Sequence, residues 1–180
     1  MKQFVFASAL FSLILLSGCQ AQKDPARILA EQEEMRLLYE TTVEAIKDRE
    51  FVLEADRLVF KYGHTAHVSS STNFIAVSGE EATIQITSNF SPYAGPNGIG
   101  GVTVTGRISN IKESVDKNGT LSFRMNVVGI GVSATVSFNL PKGTNQCTVI
   151  VSPNLNSNVI TFIGSIYPTE FSEIYKGRAL

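Results

Sequence analysis

The side chains that could carry out catalysis are few in this sequence, and they do not form a recognisable set. The two histidines, His64 and His67, are three residues apart, and no cysteine or carboxylate lies within several residues of either one. Zinc sites in proteins usually need three or four protein ligands. We therefore predict no metal site and interpret both histidines as ordinary loop residues.

The sequence also lacks the residues expected of a hydrolase. It contains no Gly-x-Ser-x-Gly segment, which would present a nucleophilic serine on a sharp turn. A glycosidase needs two carboxylates across a cleft, whereas the neighbours Glu54 and Asp56, like Glu80 and Glu81, are interpreted as solvated surface. We predict no catalytic residue, no cofactor and no enzymatic activity.

Residues 91–101 are a better candidate for function, because they form a connection longer than a hairpin needs. The candidate side chains and glycines of this loop are Tyr93, Asn97, Gly98, Gly100 and Gly101. We favour a structural explanation, in which the glycines allow tight turns and close backbone contact over one end of a sheet. The alternative is a ligand-binding loop. A phosphate-binding loop is excluded, since no Gly-Lys-Ser/Thr is present and a strand pattern follows the glycines.

One helix and a run of strands would have to position these residues. Asp24 as the N-cap and Pro25 at the first helical position begin an amphipathic helix, predicted over about residues 25–49. From Phe51 onward the hydrophobic residues recur with a period of two, which is typical of strands. The predicted strands span about 51–60, 72–77, 82–87, 102–115, 121–127, 132–140, 146–151 and 159–167.

The fold class follows from how these strands are connected. Short links join them, and residues 116–119 include the Asn-Gly pair of a tight hairpin. One face of each strand is apolar and the other is rich in hydroxyl groups. We predict a mainly β protein: an antiparallel meander of about eight strands with one N-terminal amphipathic α-helix. A closed barrel and a two-layer sandwich both satisfy this pattern.

The first residues predict export and a lipid anchor. Lys2 precedes an uncharged apolar stretch from Phe4 to Leu16, which is typical of a secretory signal and shorter than the roughly 20 residues of a membrane-spanning helix. The sequence Leu-Ser-Gly-Cys at 16–19 resembles the lipobox of bacterial lipoproteins. That resemblance implies cleavage before Cys19 and lipidation of this residue, which would attach the protein to a membrane.

These features predict the organisation and location of the chain. We expect a signal peptide over 1–18, a tether over 19–24 and a single domain over 25–180. Gln20 follows the lipidated position where an Asp would favour the inner membrane, so the outer membrane is favoured, with a periplasmic or surface orientation left open.

With Cys19 acylated, Cys147 has no disulfide partner, and its place in an alternating strand predicts a buried hydrophobe.

The chain resembles a family of small lipoproteins of Bacteroidetes catalogued as domain of unknown function 4251. The matching segments are 51–56, 73–79, 97–106 and 163–168, and the likeness spans roughly residues 27–168. The Asn-Gly-Ile-Gly-Gly run at the start of the third segment is its most specific element. The resemblance implies an envelope location and a single β-rich domain, and it carries no activity or catalytic residues.

The leading functional hypothesis is a non-enzymatic envelope lipoprotein whose β domain binds a small ligand, a glycan or another envelope protein. The alternative is a structural or assembly accessory of the outer membrane, and a third possibility is an unrecognised hydrolase. The net charge of −1 and the absence of a Lys/Arg cluster argue against a nucleic-acid partner.

Overall fold

The computed structural model describes residues 24–87, 101–155 and 158–179. These residues form one α-helix, α1 (Pro25–Asp48), and nine strands. The strands are β1 (Glu50–Phe60), β2 (Thr65–His67), β3 (Phe74–Ser78), β4 (Glu81–Thr87), β5 (Gly101–Val115), β6 (Leu121–Gly129), β7 (Val132–Leu140), β8 (Gln146–Pro153) and β9 (Ile160–Pro168). Every strand pairing is antiparallel, as the meander pattern predicted.

Eight of the strands close into a barrel. β1 pairs with β3 along one edge and with β9 along the other, so the order runs β1-β3-β4-β5-β6-β7-β8-β9 and returns to β1. This last pairing decides between the barrel and the sandwich that the sequence left open. β2 is an additional strand that pairs with Arg57–Val59. Its three residues are too few to show a period of two, so sequence reasoning missed it.

Glycines allow neighbouring strands to approach closely where the barrel bends. Gly164 on β9 faces Ala55 on β1, and a side chain at Gly164 would overlap the Glu54 carbonyl. The β1–β9 register shifts at this point, so that Asp56 forms a bulge between Ala55 and Arg57. Gly129 of β6 approaches β5 in a similar way, because a side chain at this position would overlap the Thr105 carbonyl. These close approaches let a continuous sheet curve enough to close.

The helix begins and ends as the sequence predicted. The Asp24 carboxylate accepts a hydrogen bond from the Ala26 N–H at 3.0 Å, which is the N-cap arrangement. At the other end, Arg49 takes a positive φ of 57° and turns the chain into β1. Within the described residues, no helix is long and apolar enough to cross a membrane.

The second half of α1 covers the end of the barrel at which β1 begins. Thr42, Ala45 and Ile46 are buried, and Ala45 and Ile46 belong to the hydrophobic core. The Thr42 hydroxyl donates to the carbonyl of Ile166 at the end of β9. Met35, further towards the N-terminus of α1, is 41 % exposed. The helix therefore packs on the barrel through its last two turns.

Aromatic rings fill the barrel near this helix. Phe51, Phe123 and Phe138 form a cluster with ring centroids 5.4–6.1 Å apart. Phe51 meets both partners edge-on, at interplanar angles of 83° and 82°, an arrangement that aromatic quadrupoles favour. All three side chains are buried, so this end of the barrel is a packed core.

Candidate functional site

The described residues at the opposite end of the barrel enclose a cavity. Inward-facing aliphatic residues of β4, β5, β7 and β8, together with the turns at this end, surround a cavity of about 440 Å³. We call this cavity the mouth. It is lined by Ile84, Ile86, Val102, Val104, Gly129, Gly131, Val132, Ser133, Ala134, Val151, Pro153 and Leu155.

The size and polarity of these residues explain the cavity. The strands that carry Phe123 and Phe138 near the helix carry Val127, Val132 and Ala134 towards the mouth, and shorter side chains leave space along the barrel axis. Among the described residues that line it, none is charged and only Ser133 carries a hydroxyl group. Such a surface can bind an apolar molecule by removing hydrocarbon from water, with few polar groups to orient it.

Two turns at the mouth expose aliphatic side chains. Ile130, between β6 and β7, is 77 % exposed, and Leu155, after β8, is 88 % exposed. Gly131 has a φ of 74°, which allows the tight turn that places Ile130 outward. Single exposed aliphatic residues are common, but these two flank the same apolar cavity.

The predicted loop over residues 91–101 connects the two strands at the edge of the mouth. Tyr93, Asn97, Gly98 and Gly100 lie outside the described residues. Gly101 is the first residue of β5 and pairs with Thr87, the last residue of β4. A side chain at Gly101 would overlap the Ile86 carbonyl. This position needs glycine because two strands approach closely there.

A buried hydrogen-bond network fixes the end of β4 just before that loop. The Asn73 side chain, 1 % exposed, accepts from the Thr87 N–H at 2.8 Å and donates to the Thr87 hydroxyl at 2.9 Å. It also donates to the Ser69 carbonyl at 3.0 Å. An asparagine that satisfies both a backbone and a side-chain group of Thr87 holds the edge of the mouth in one position.

The helix end carries a second cavity of opposite character. It measures about 490 Å³ and lies between the last turns of α1 and the end of β9. Four carboxylate residues line it: Glu44, Asp48, Glu50 and Glu170. The Glu50 carboxylate accepts a hydrogen bond from the Ser78 hydroxyl at 3.0 Å. Among the described residues no group of three or more His, Cys, Asp or Glu side chains is arranged to hold a metal ion, so we do not assign this groove a ligand.

The remaining sequence candidates lie apart from both cavities. His64 and His67 are both exposed: His64 directly precedes β2, and His67 is the last residue of that strand. The interpretation of Glu54 as solvated surface was wrong, because this residue is half-buried. Its carboxylate accepts hydrogen bonds from the Ser172 hydroxyl at 2.7 Å and the Glu173 N–H at 3.3 Å. Asp56 occupies the exposed bulge. The two carboxylates therefore have different environments.

Cys147 is buried inside the barrel wall. Its side chain is 2 % exposed and belongs to the core with Val149 and Val151. Burial raises the pKa of this thiol to about 12. Because the thiolate is the reactive form of cysteine, the residue acts as a small hydrophobe.

Sequence reasoning singled out the loop and missed the cavity beside it. The signal was present in β7, whose apolar face changes from Leu140 and Phe138 near the helix to Ala134 and Val132 at the mouth. Recognising it requires knowing which strand ends meet, and that depends on barrel closure.

The fold and the mouth define a class of protein: a helix-capped, eight-stranded antiparallel barrel with an apolar opening at one end. The sequence profile described as domain of unknown function (DUF4251) matches residues 33–166, and the chain belongs to this family. The resemblance inferred from sequence is thereby confirmed. A crystal structure of a DUF4251 family protein from Bacteroides eggerthii is similar, with 44 % identity and a TM-score of 0.68 over 83 % of this chain and 99 % of that chain. No curated protein matches this sequence.

Proposed function

We propose that this protein is a lipid-anchored, non-enzymatic binding protein of the bacterial envelope, which holds a small apolar molecule in the mouth of its barrel. The observation that carries the proposal is the uncharged aliphatic lining of a cavity at the open end of an otherwise packed barrel. Ligand pockets in proteins are commonly about 300–1,000 Å³ and mainly hydrophobic, and the mouth has this size and character.

The lining favours hydrocarbon over the other ligands considered from sequence. A bound glycan would leave its hydroxyl groups against aliphatic side chains, and unpaired buried polar groups are costly. A hydrocarbon ligand gains about 25 cal/mol for each Å² of apolar surface removed from water. Ser133 is available at the edge for a single polar contact, and its hydroxyl already accepts from Asn154 at 3.1 Å.

The location follows from the predicted anchor. Lipid on Cys19 would hold the barrel at a bilayer, where molecules with apolar chains are concentrated. The outer membrane is the proposed site, and both orientations are compatible with a cavity that takes an apolar ligand. We propose no catalytic role, because the histidines and carboxylates that could take part in chemistry do not line the mouth.

A second function is favoured by one specific observation. Ile130 and Leu155 project from the mouth almost fully exposed, so this end could dock on another envelope protein as an assembly accessory. In that case the cavity would be incidental, and a partner would cover the two exposed side chains.

Binding of N-phenylnaphthylamine, an uncharged apolar fluorophore, tests the proposal. Saturable binding to the full mature chain is expected, and Val132→Phe, which fills the mouth, should weaken it about tenfold or more. The matched control is Val128→Phe, on the outward face at the same barrel end and 53 % exposed. Equal affinity in both variants would contradict ligand binding in the mouth. Docking would instead predict loss of a protein partner in Ile130→Asp without loss of probe binding.

The anchor is tested separately by membrane fractionation. Cys19→Ser should move the protein from the membrane fraction to the soluble fraction, because stable anchoring requires covalently attached lipid. Cys147→Ala is the matched control, since it removes the other thiol. The Cys19→Ser protein is exported behind a secretory signal that is cleaved without a lipobox, so that no signal peptide holds it, and its retention in the membrane would then contradict lipidation.

A further inference from the structure

Outward-facing residues of four strands form a row across the barrel wall. The pairing registers place Glu54 of β1 beside Phe74 of β3, Phe74 beside Gln85 of β4, and Gln85 beside Thr103 of β5. Phe74, Gln85 and Thr103 are fully buried. Side chains on the outside of a barrel are buried only where another segment covers them.

The C-terminal segment, residues 172–177, crosses this row. The Ser172 hydroxyl and the Glu173 N–H both donate to the Glu54 carboxylate. Further along, the Tyr175 N–H donates to the Ser71 carbonyl at 2.7 Å. The segment therefore lies along the wall in a defined position.

Gln85 binds the segment as a neighbouring strand would. Its side-chain NH₂ donates to the Tyr175 carbonyl at 2.7 Å, and its oxygen accepts from the Gly177 N–H at 2.8 Å. The same amide donates to the Thr72 carbonyl at 3.1 Å and accepts from the Thr103 hydroxyl at 2.8 Å. These partners fix the orientation of the amide, because the flipped form would set its oxygen against two carbonyls. A buried, fully satisfied glutamine is thus aimed at the backbone of an extended peptide.

The segment itself is held shallowly. Phe171 and Tyr175 are 65 % and 62 % exposed, so neither ring anchors it. Its own backbone groups at Glu173, Tyr175 and Gly177 make most of the hydrogen bonds that hold it to the wall, and terminal segments of this kind open locally at a small fraction of the cost of global unfolding. If the segment leaves, Phe74 is exposed to water and the Gln85 amide loses its two hydrogen-bond partners in the segment. The uncovered wall therefore favours the binding of another peptide.

We propose that the outer face of β1, β3 and β4 is a binding site for an extended peptide, which the C-terminal segment of a second copy of this chain can occupy in place of the chain's own. The site fits the extended backbone of residues 172–177 and the Ser172 hydroxyl, and a second copy supplies the same segment. Exchange preserves every contact, as in domain swapping. The segment leaves β9 through a short 3₁₀ turn, Thr169–Phe171, which can serve as the hinge. This proposal is independent of ligand binding in the mouth.

Cysteine cross-linking between two full-length mature chains tests the exchange. Both chains carry Cys19→Ser, and the buried Cys147 contributes no accessible thiol. One chain carries Ser71→Cys and the other, tagged to differ in mass, carries Tyr175→Cys. After mixing, incubation and mild oxidation, a disulfide-linked heterodimer is expected. A single chain with both substitutions should form the same disulfide internally.

Two variants and one control make the result specific. Gln85→Leu in the first chain, or Gly177→Pro in the second, removes hydrogen bonds to the segment and should lower the heterodimer yield about tenfold. Gly177→Pro leaves the barrel wall unchanged, so its effect does not depend on barrel stability. Val115→Cys, at an exposed position on β5, replaces Tyr175→Cys to measure random collision. A heterodimer yield no higher than this control, or failure of the doubly substituted chain to cross-link internally, would overturn the proposal.

Discussion

The two ends of the barrel are built from the same strands and differ in what fills them. Near the helix, Phe51 packs edge-on against Phe123 and Phe138, and Ile46 of α1 closes the end. At the mouth, the corresponding positions are aliphatic, and about 440 Å³ is open. The difference shows that closing a barrel does not determine whether it is filled. Side-chain volume along each strand decides this, so one end is packed with rings while the other keeps an apolar cavity.

Removing a ring from the filled end should have the largest effect. Phe138→Ala leaves a cavity among fully buried side chains, and we expect the free energy of unfolding to fall by about 3–5 kcal/mol. Val132→Ala, at the mouth on the same strand, should cost less than about 1.5 kcal/mol because its surroundings are already open. Urea denaturation followed by circular dichroism measures both, since the chain has no tryptophan for fluorescence. Equal losses would contradict the division into a filled and a hollow end.

Much of the filled end could be predicted from sequence, for physical reasons. Phe123 and Phe138 occur in strands with strict alternation, so their burial follows from period and polarity alone. The cap at Asp24 follows from a residue type whose side chain satisfies free N–H groups. Barrel closure did not follow, because the β1–β9 pairing joins residues one hundred or more positions apart and leaves no local signal.

The close strand contact at the mouth should produce the next largest effect. Gly101→Ala sets a Cβ against the Ile86 carbonyl, and the strain should lower the free energy of unfolding by about 1–3 kcal/mol. Gly63→Ala is the control, because it has a φ of 82° but open space around it, and it should cost about 1 kcal/mol or less. Thermal and urea unfolding compare the two. A Gly101→Ala protein as stable as the Gly63→Ala protein would show that the strands at the mouth can move apart.

The mouth and the C-terminal segment show why sequence reasoning finds sites less well than cores. Gln85 sits at an outward position in an alternating strand, where a polar residue normally faces water. Its burial depends on a segment 90 residues later in the chain. The cavity likewise arises from residues on four strands, each of which looks like an ordinary core position by itself.

The thiol of Cys147 reports on the tightness of the packed barrel interior. Burial raises its pKa to about 12 from an ordinary 9.0, so the folded protein keeps the proton over a pH range in which the unfolded chain loses it. The free energy of unfolding should therefore be unaffected by this group below pH 9 and decrease as the pH rises from about 9 towards 12. The decrease should be about 1 kcal/mol at pH 10 in the Cys19→Ser protein. It should be absent when Cys147→Ala is added. A thiol reagent that labels the native protein as fast as the unfolded chain would contradict burial.

The smallest expected effect comes from an exposed carboxylate, Asp116, in the turn between β5 and β6. The Asp116 carboxylate accepts from the Thr120 N–H at 2.9 Å and the Asn118 N–H at 2.8 Å, and these bonds lower its pKa below 3.8. Its contribution to stability is present above that ordinary value and is lost as the pH falls through the lowered pKa. Asp116→Asn should therefore reduce the unfolding midpoint slightly at pH 6 and not at pH 2, and carbon-13 NMR titration of the carboxyl measures the pKa directly. An effect as large as that of Phe138→Ala would mean that the hairpin, rather than the buried rings, stabilises this end of the barrel.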